Sequence, residues 1–358
     1  MRVAVVGIVG IPGSYGGFET MVDNLVEMAD KDSVEFLVFC SSINLDKKLE
    51  SYKGAKLEYL PLKANGVSSV FYDGLSIVKG LFLGERNFLI LGVSGCVWLP
   101  VVKVVFSDMR VVTNIDGVEW RREKWGWLSS RFLKLSEFLA VKFSDAVICD
   151  NQGIAEYVAQ EYGAKSYVIP YGGEHALEKV NQSQKNRDFR YALSICRIEP
   201  ENNVHMVLSA FKSLDLHLKF VGNWDASKYG KALKKEYSVF PNIELINPIY
   251  DSEMLGKIRQ DSSVYIHGHS AGGTNPSLVE MMFFATPIIA FDCIYNRYTL
   301  DNMGWFFKTE DELAILITET EFPAEIPEIS DLAFSKYTWY HVFKDYGNIF
   351  NKYFLGNR

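Results

Sequence analysis

Short runs of aliphatic and β-branched residues, each followed by a longer amphipathic stretch, leave this chain few folds to choose from. "RVAVVG" gives way to "ETMVDNLVEMAD", then "VEFLVFC"; later come "FLILGV", "RVVTNID", "DAVICD" and "SYVIP". A strand that is apolar along its whole length is covered on both faces, and such strands joined through helices form parallel sheets. The pattern breaks at the polar stretch "PYGGEHALEKVNQSQKNRDF" and restarts with "RYALSIC", "LHLKFVG", "IELINPI", "SVYIHG" and "TPIIAFD". Its 358 residues suit two domains of about 150 residues each. The expected architecture is α/β, with two Rossmann-like doubly wound lobes over residues 1–172 and 189–337 and a linker over 173–188. A C-terminal helical segment over 338–358 is expected to pack back on the first lobe.

Composition removes several classes. With 44 acids against 37 Lys and Arg, the chain lacks the basic footprint that phosphate backbones select, so no nucleic acid is expected. Its five cysteines are scattered and form neither a CxxC pattern nor a disulfide framework, and they read as buried thiols of a reducing compartment. The opening "MRVAVVGIVG" fits a strand and a glycine turn better than a signal peptide. Gly92, Gly95, Pro100 and Lys103 interrupt the longest apolar stretch, which argues against a membrane span. A cytoplasmic protein is expected.

Ligands of open parallel sheets bind beyond the carboxyl ends of the strands, so two such lobes imply a central cleft lined by those loops. In the first lobe the loop "GIVGIPGSYGGFET" carries Gly7, Gly10, Gly13, Gly16 and Gly17 ahead of a helix, where backbone amides can approach an anion. The same glycines would also serve a turn that needs only small residues. Gly7 and Gly10 stand three apart where the dinucleotide fingerprint needs two, and no acid follows "LVFCSS", so a nicotinamide site is disfavoured. In the second lobe Arg197 ends one strand, and Gly222 with Asn223 ends another. An arginine there would clasp a diphosphate, unless Glu199 or Glu201 pairs with it.

The segment "HGHSAGGTNPSLVEMM" carries the most chemistry. Asn275 reads as a helix N-cap with Pro276 in the first position, so Gly273 and the amides at Asn275 to Ser277 would cradle a diphosphate. Glu280, one turn further, would accept hydrogen bonds from sugar hydroxyls. Ser277 and Glu280 also have the spacing of a capping box, the structural alternative. His267 and His269 share a strand face but lack a third ligand at metal spacing, so no metal is expected.

On these residues the chain resembles the retaining glycosyltransferases of family 4, which have the GT-B fold of two Rossmann-like lobes. The resemblance implies that Glu280 binds the ribose of a nucleotide-sugar donor and that Arg197 binds its diphosphate. It also marks departures. The family's first glutamate falls on Gly272, its diphosphate lysine on Asn202, and the glycine of its Gly-x-Pro segment on Ala285. Loss of the first acid leaves the loop backbone, with Thr274 and Asn275, to hold the donor sugar; Arg297 would compensate for the lysine. In the first lobe "TNIDGVEW" corresponds to the family's acceptor-side segment, with Asp116 where a histidine often stands and Glu119 nearby. Either carboxylate would orient or deprotonate an acceptor hydroxyl, or serve as a cap or turn residue. Gly16 and Gly17 would face the same side.

The blocks "GIPGSYGGFET", "NIDGVEW", "EPENN" and "HGHSAGGTNPSLVE" resemble a bacterial subgroup that includes rhamnosyltransferases of capsule and O-antigen assembly. That resemblance implies dTDP-L-rhamnose as donor, retained configuration, no metal or other cofactor, and a saccharide acceptor carried on polyprenyl diphosphate. Three alternatives stay open: another donor such as a UDP-sugar, a sugar-nucleotide epimerase, and a binder without chemistry. The stretch "RREKWGWLSSRFLKLSEFLAVK" has six Lys and Arg against two acids. It suits contact with an anionic membrane surface, or a crossover helix with its basic side in water.

Overall fold

The computed structural model describes residues 1–13, 16–29, 34–45, 48–122, 125–178, 180 and 191–356. Residues 181–190, where much of the expected linker falls, lie outside the described residues, as do Ser14, Tyr15, Glu123 and Lys124 of the motifs above. The chain forms two compact units, one of Met1–Pro170 with Trp339–Arg358 and one of Tyr171–Thr338.

The first unit contains β1 (Arg2–Val6), α1 (Gly17–Met28), β2 (Glu35–Ser41), β3 (Ser51–Tyr52), β4 (Ala55–Leu60), α2 (Ser68–Phe82) and β5 (Asn87–Leu91). It continues through α3 (Leu99–Val105), β6 (Arg110–Asn114), α4 (Trp127–Phe143), β7 (Ala146–Cys149), α5 (Gln152–Tyr162) and β8 (Tyr167–Val168). These strands make one sheet in the order β3-β4-β2-β1-β5-β6-β7-β8, parallel except for the β3–β4 hairpin. The order reverses between β1 and β5, the switch point at which such sheets open a ligand crevice. β1 and β5 are buried almost throughout, as continuous apolar runs require. β4, "AKLEYL", is not among the runs legible as strands because it alternates buried and exposed residues near the sheet edge.

The second unit runs through β9 (Ala192–Ile195), α6 (Val204–Phe211), β10 (Leu218–Val221), α7 (Lys228–Tyr237), β11 (Ile243–Ile246), α8 (Ser252–Gln260) and β12 (Val264–His267). It ends with α9 (Pro276–Met282), β13 (Ile288–Phe291), α10 (Ile294–Thr299), β14 (Trp305–Phe307), α11 (Glu310–Glu319) and α12 (Pro327–Lys336). Its sheet is parallel, in the order β11-β10-β9-β12-β13-β14, with one apolar core on each face. The switch lies between β9 and β12, so the loops after these two strands flank the crevice. Both sheets and their helices give the GT-B class of α/β fold.

The last helix, α13 (Trp339–Phe350), belongs to the first unit, where it packs on α1. Trp339, Tyr346 and Phe350 are buried there. Among the described residues no helix is long and apolar enough to cross a membrane. All five cysteines are free; Cys40, Cys96 and Cys149 are buried.

Candidate active site

In the second unit the loops after β9 and β12 are laced together. Asn202, buried, donates from Nδ2 to the Arg197 carbonyl at 2.7 Å, and its Oδ1 lies 2.6 Å from His269 Nδ1. The Asn202 oxygen can only accept, so His269 donates from Nδ1. Asn203 donates to the Gly268 carbonyl at 2.9 Å, and both the amide and the hydroxyl of Ser270 donate to the Glu201 carbonyl. The Tyr265 hydroxyl lies 3.2 Å from both the Ile195 carbonyl and Ser277 Oγ, joining the end of β9 to the first turn of α9. Arg197 therefore sits two residues beyond a strand end fixed against the start of α9. It is exposed, and among the described residues no carboxylate pairs with it, Glu199 and Glu201 included.

α9 begins as its sequence requires. Asn275 is the N-cap, accepting from the Ser277 amide at 3.0 Å, and Pro276 follows at the first position. Ser277 thus lies inside the helix, which removes the capping-box alternative for Glu280. Glu280 instead pairs with Arg259 of α8, and its Oε1 is 3.3 Å from His175 Nε2. Burial pushes the Glu280 carboxyl up, but Arg259 and His175 outweigh it and hold the group below its ordinary range. Gly173 lets this wall close, because a Cβ there would meet the Val279 side chain at 2.8 Å.

The departures from the family pattern have local causes. Gly272 has φ +104°, a conformation closed to a glutamate, so this loop cannot carry the family's first acid without changing shape. Asn202 fills a buried bridging position with no room for a solvated ammonium. Ala285, in contrast, has φ +53°, so the chain has alanine where its backbone is left-handed. Arg297, expected to compensate for the lysine, pairs with Asp292 and stacks 4.3 Å from the centre of the Phe306 ring.

Gly222 acts through packing, since a Cβ there would fall 2.4 Å from Ile198 Cδ1 and 2.7 Å from the Cys196 carbonyl. Asn223 is exposed beside it, while Gly273 and Thr274 are buried in the loop before α9. His267 ends β12 fully enclosed, with no partner for Nε2 among the described residues, and burial drives its pKa down to about 3. Among the described residues no group of three His, Cys, Asp or Glu is placed to hold a metal.

In the first unit the glycine loop is shaped around Glu19, which sequence reasoning did not single out. The Val9 amide donates to Glu19 Oε1 at 2.9 Å, and a Cβ on Gly16 would fall 2.0 Å from Glu19 Oε2. Gly16 caps α1 at φ +127°, and Gly17 is the first helical residue. Burial raises the Glu19 pKa. Asp116 follows β6 at φ +61°, in the left-handed region that Asp tolerates better than most residues, and its amide donates to Asn114 Oδ1 at 3.0 Å. Asn114 in turn donates to the Tyr346 hydroxyl of α13 at 2.8 Å. The Asp116 carboxylate has no partner among the described residues. Glu119 is engaged: its oxygens meet Arg122 Nε at 2.7 Å and Trp125 Nε1 at 3.0 Å. The two acids separate into one with an unengaged carboxylate and one that ties its loop.

Comparison with known proteins agrees with this layout. Residues 176–320 match the family described as glycosyl transferases group 1, and residues 1–174 match a domain of unknown function (DUF1972). An uncharacterized glycosyltransferase of Haemophilus influenzae is 23% identical over 296 residues, covering 78% of each chain. Among solved structures, sucrose-phosphate synthase of Thermosynechococcus elongatus has a TM-score of 0.79 at 15% identity, covering 99% of this chain and 100% of that one. HepE of Anabaena, in complex with UDP-glucose, has a TM-score of 0.73 at 14% identity, covering 98% and 100%. The family match to the second unit and the GT-B fold together support a glycosyltransferase.

Proposed function

We propose that this chain transfers L-rhamnose from dTDP-L-rhamnose, with retention of configuration, to a saccharide on polyprenyl diphosphate during capsule or O-antigen synthesis, at the inner face of the plasma membrane. The observation that carries the donor side is Arg197, exposed, without a carboxylate partner, and two residues beyond Ile195, which Tyr265 joins to the start of α9. A guanidinium there offers paired donors to the diphosphate and stabilises the charge that grows on it as the glycosidic bond breaks. Backbone N–H groups from Gly273 to Asn275 complete the cradle, since Pro276 has none and the Ser277 amide is bonded to Asn275 Oδ1. Glu280, kept ionised by Arg259 and His175, accepts from the ribose hydroxyls. On the acceptor side Asp116 orients the attacking hydroxyl, since its carboxylate is unengaged, and Glu119 positions the loop. The reaction uses no metal or other cofactor.

The test is thermal stabilisation by a panel of nucleoside diphosphates and sugar nucleotides, UDP-glucose among them, with Arg197→Ala and Glu280→Ala beside the parent. A selective shift with dTDP or dTDP-rhamnose that both variants lose supports the reading; a larger shift with UDP-sugars replaces the donor. Absence of any shift in folded protein overturns it. Product from donor alone would assign an epimerase.

A further inference from the structure

The helices that carry the chain from β4 to β5, β5 to β6 and β6 to β7 all advance in one direction along the first sheet. Right-handed crossovers therefore put α2, α3 and α4 on the same face, opposite α1 and α13. Their outer sides are not polar. On α2, Phe71, Leu75, Val78 and Phe82 recur at helical spacing and are exposed, Phe82 at 80%. On α3, Val101, Val104 and Val105 are exposed, Val104 at 83%. Trp98 bridges the two: its Nε1 donates to the Val70 carbonyl at 2.9 Å, and its ring lies so close to α2 that a Cβ on Gly74 would meet it at 2.5 Å. On α4, Trp127, Leu135 and Phe138 are exposed along one stripe with Arg131 and Lys142.

The exposed charges that α2, α3 and α4 themselves carry have one sign. The only acids of α2, α3 and α4 are Asp73 and Glu137, and both are buried. Arg131 and Lys142 have no carboxylate partner among the described residues and lie over aromatic rings, Arg131 at 4.6 Å from Trp127 and Lys142 at 5.5 Å from Phe138. Lys79, Lys103 and Lys134 are paired with Glu58, Asp145 and Glu161 of neighbouring elements, which leaves Arg131 and Lys142 as unpaired cations among the apolar side chains in a chain of net charge −7.

We propose that the outer faces of α2, α3 and α4 are one docking surface for a bilayer of anionic lipid. Aliphatic and aromatic side chains enter the boundary between head groups and acyl chains, and Arg131 and Lys142 meet the phosphates. A second copy of the chain fits less well, because a two-fold contact would set these unpaired cations of both copies into one dry interface. The surface gives the membrane-side reading above a physical location, and it lies wholly within the first unit. Vesicle binding needs neither donor nor acceptor, so its failure and the failure of sugar transfer are separate results.

The experiment is flotation of the full chain with phosphatidylcholine vesicles and with vesicles in which phosphatidylglycerol replaces about a third of the lipid. The parent should float with the anionic vesicles only. Phe82→Ser with Val104→Ser should abolish flotation, and Arg131→Gln with Lys142→Gln should weaken it about 30-fold. Melting temperatures of both variants should match the parent, since these side chains are exposed. No flotation, or equal flotation with neutral vesicles, overturns the proposal. So does a concentration-dependent dimer that Phe82→Ser with Val104→Ser dissociates, which assigns the face to a second copy.

Discussion

The guanidinium of Arg259, on α8, is paired with the carboxylate of Glu280, one turn into α9, in a nearly dry contact with side-chain exposures of 7% and 15%. The pair makes Glu280 both a structural and a candidate binding residue, and the two roles can be separated. Removing one partner strands a buried charge, so Glu280→Ala should cost about 3 kcal/mol in urea unfolding. Replacing both, as Arg259→Met with Glu280→Leu, should recover most of that. If Glu280 holds the donor ribose, nucleotide binding stays lost in the recovered double variant; its return would leave the acid a purely structural part.

Arg197 predicts the opposite profile. Because it is exposed and unpaired, Arg197→Ala should leave unfolding stability within about 0.5 kcal/mol of the parent. Its loss should weaken nucleoside diphosphate binding by about 10-fold or more, as expected for a charge-assisted contact. Calorimetric titration checks both halves; unchanged affinity would remove Arg197 from the site.

Ala285 stands at φ +53° in the turn between α9 and β13. A left-handed L-residue costs about 1–2 kcal/mol, part of which glycine returns through its greater freedom in the unfolded chain. Ala285→Gly should therefore stabilise the second unit by up to about 1 kcal/mol, read as a rise in melting temperature.

Two buried groups give pH dependences of opposite sign. Burial lifts Asp73, which accepts from Ser94 Oγ at 3.0 Å, from 3.8 to about 7. Between those values the unfolded chain has lost this proton and the folded one keeps it, so stability falls as pH rises. His267, at about 3 against 6.5 when free, does the reverse: the unfolded chain holds the extra proton, so stability falls as pH drops through that range. Asp73→Asn should remove the loss on the alkaline side, and His267→Gln the loss on the acid side. Denaturant midpoints measured from pH 4 to 8 would show it, and a variant with the parent's slope would exclude its residue as the source.

Asn202 holds two loops at once, through the Arg197 carbonyl and His269. Asn202→Leu should cost about 2 kcal/mol by orphaning both partners. Asn202→Lys, which places a lysine where the resembled glycosyltransferases carry one, should also destabilise the loop and bring no gain in diphosphate affinity. Tighter binding in that variant would show that the loop can reopen around an ammonium.

Along the chain, spacing alone determined much of this protein. Apolar runs and their helical partners marked β1, β2, β5 and β9 to β13, because a strand covered on both faces must be apolar throughout. Asn275 and Pro276 fixed the start of α9 by local hydrogen bonding and a preset φ. Tertiary structure decided the partners. Arg259 meets Glu280 across 21 residues, His269 meets Asn202 across 67, and Tyr346 reaches Asn114 across 232 to brace the loop of Asp116. No local period records such meetings. The outward stripe of α2 shows the same limit: periodicity says that apolar residues share a face, but only the packed sheet and its neighbouring helices decide whether that face is covered.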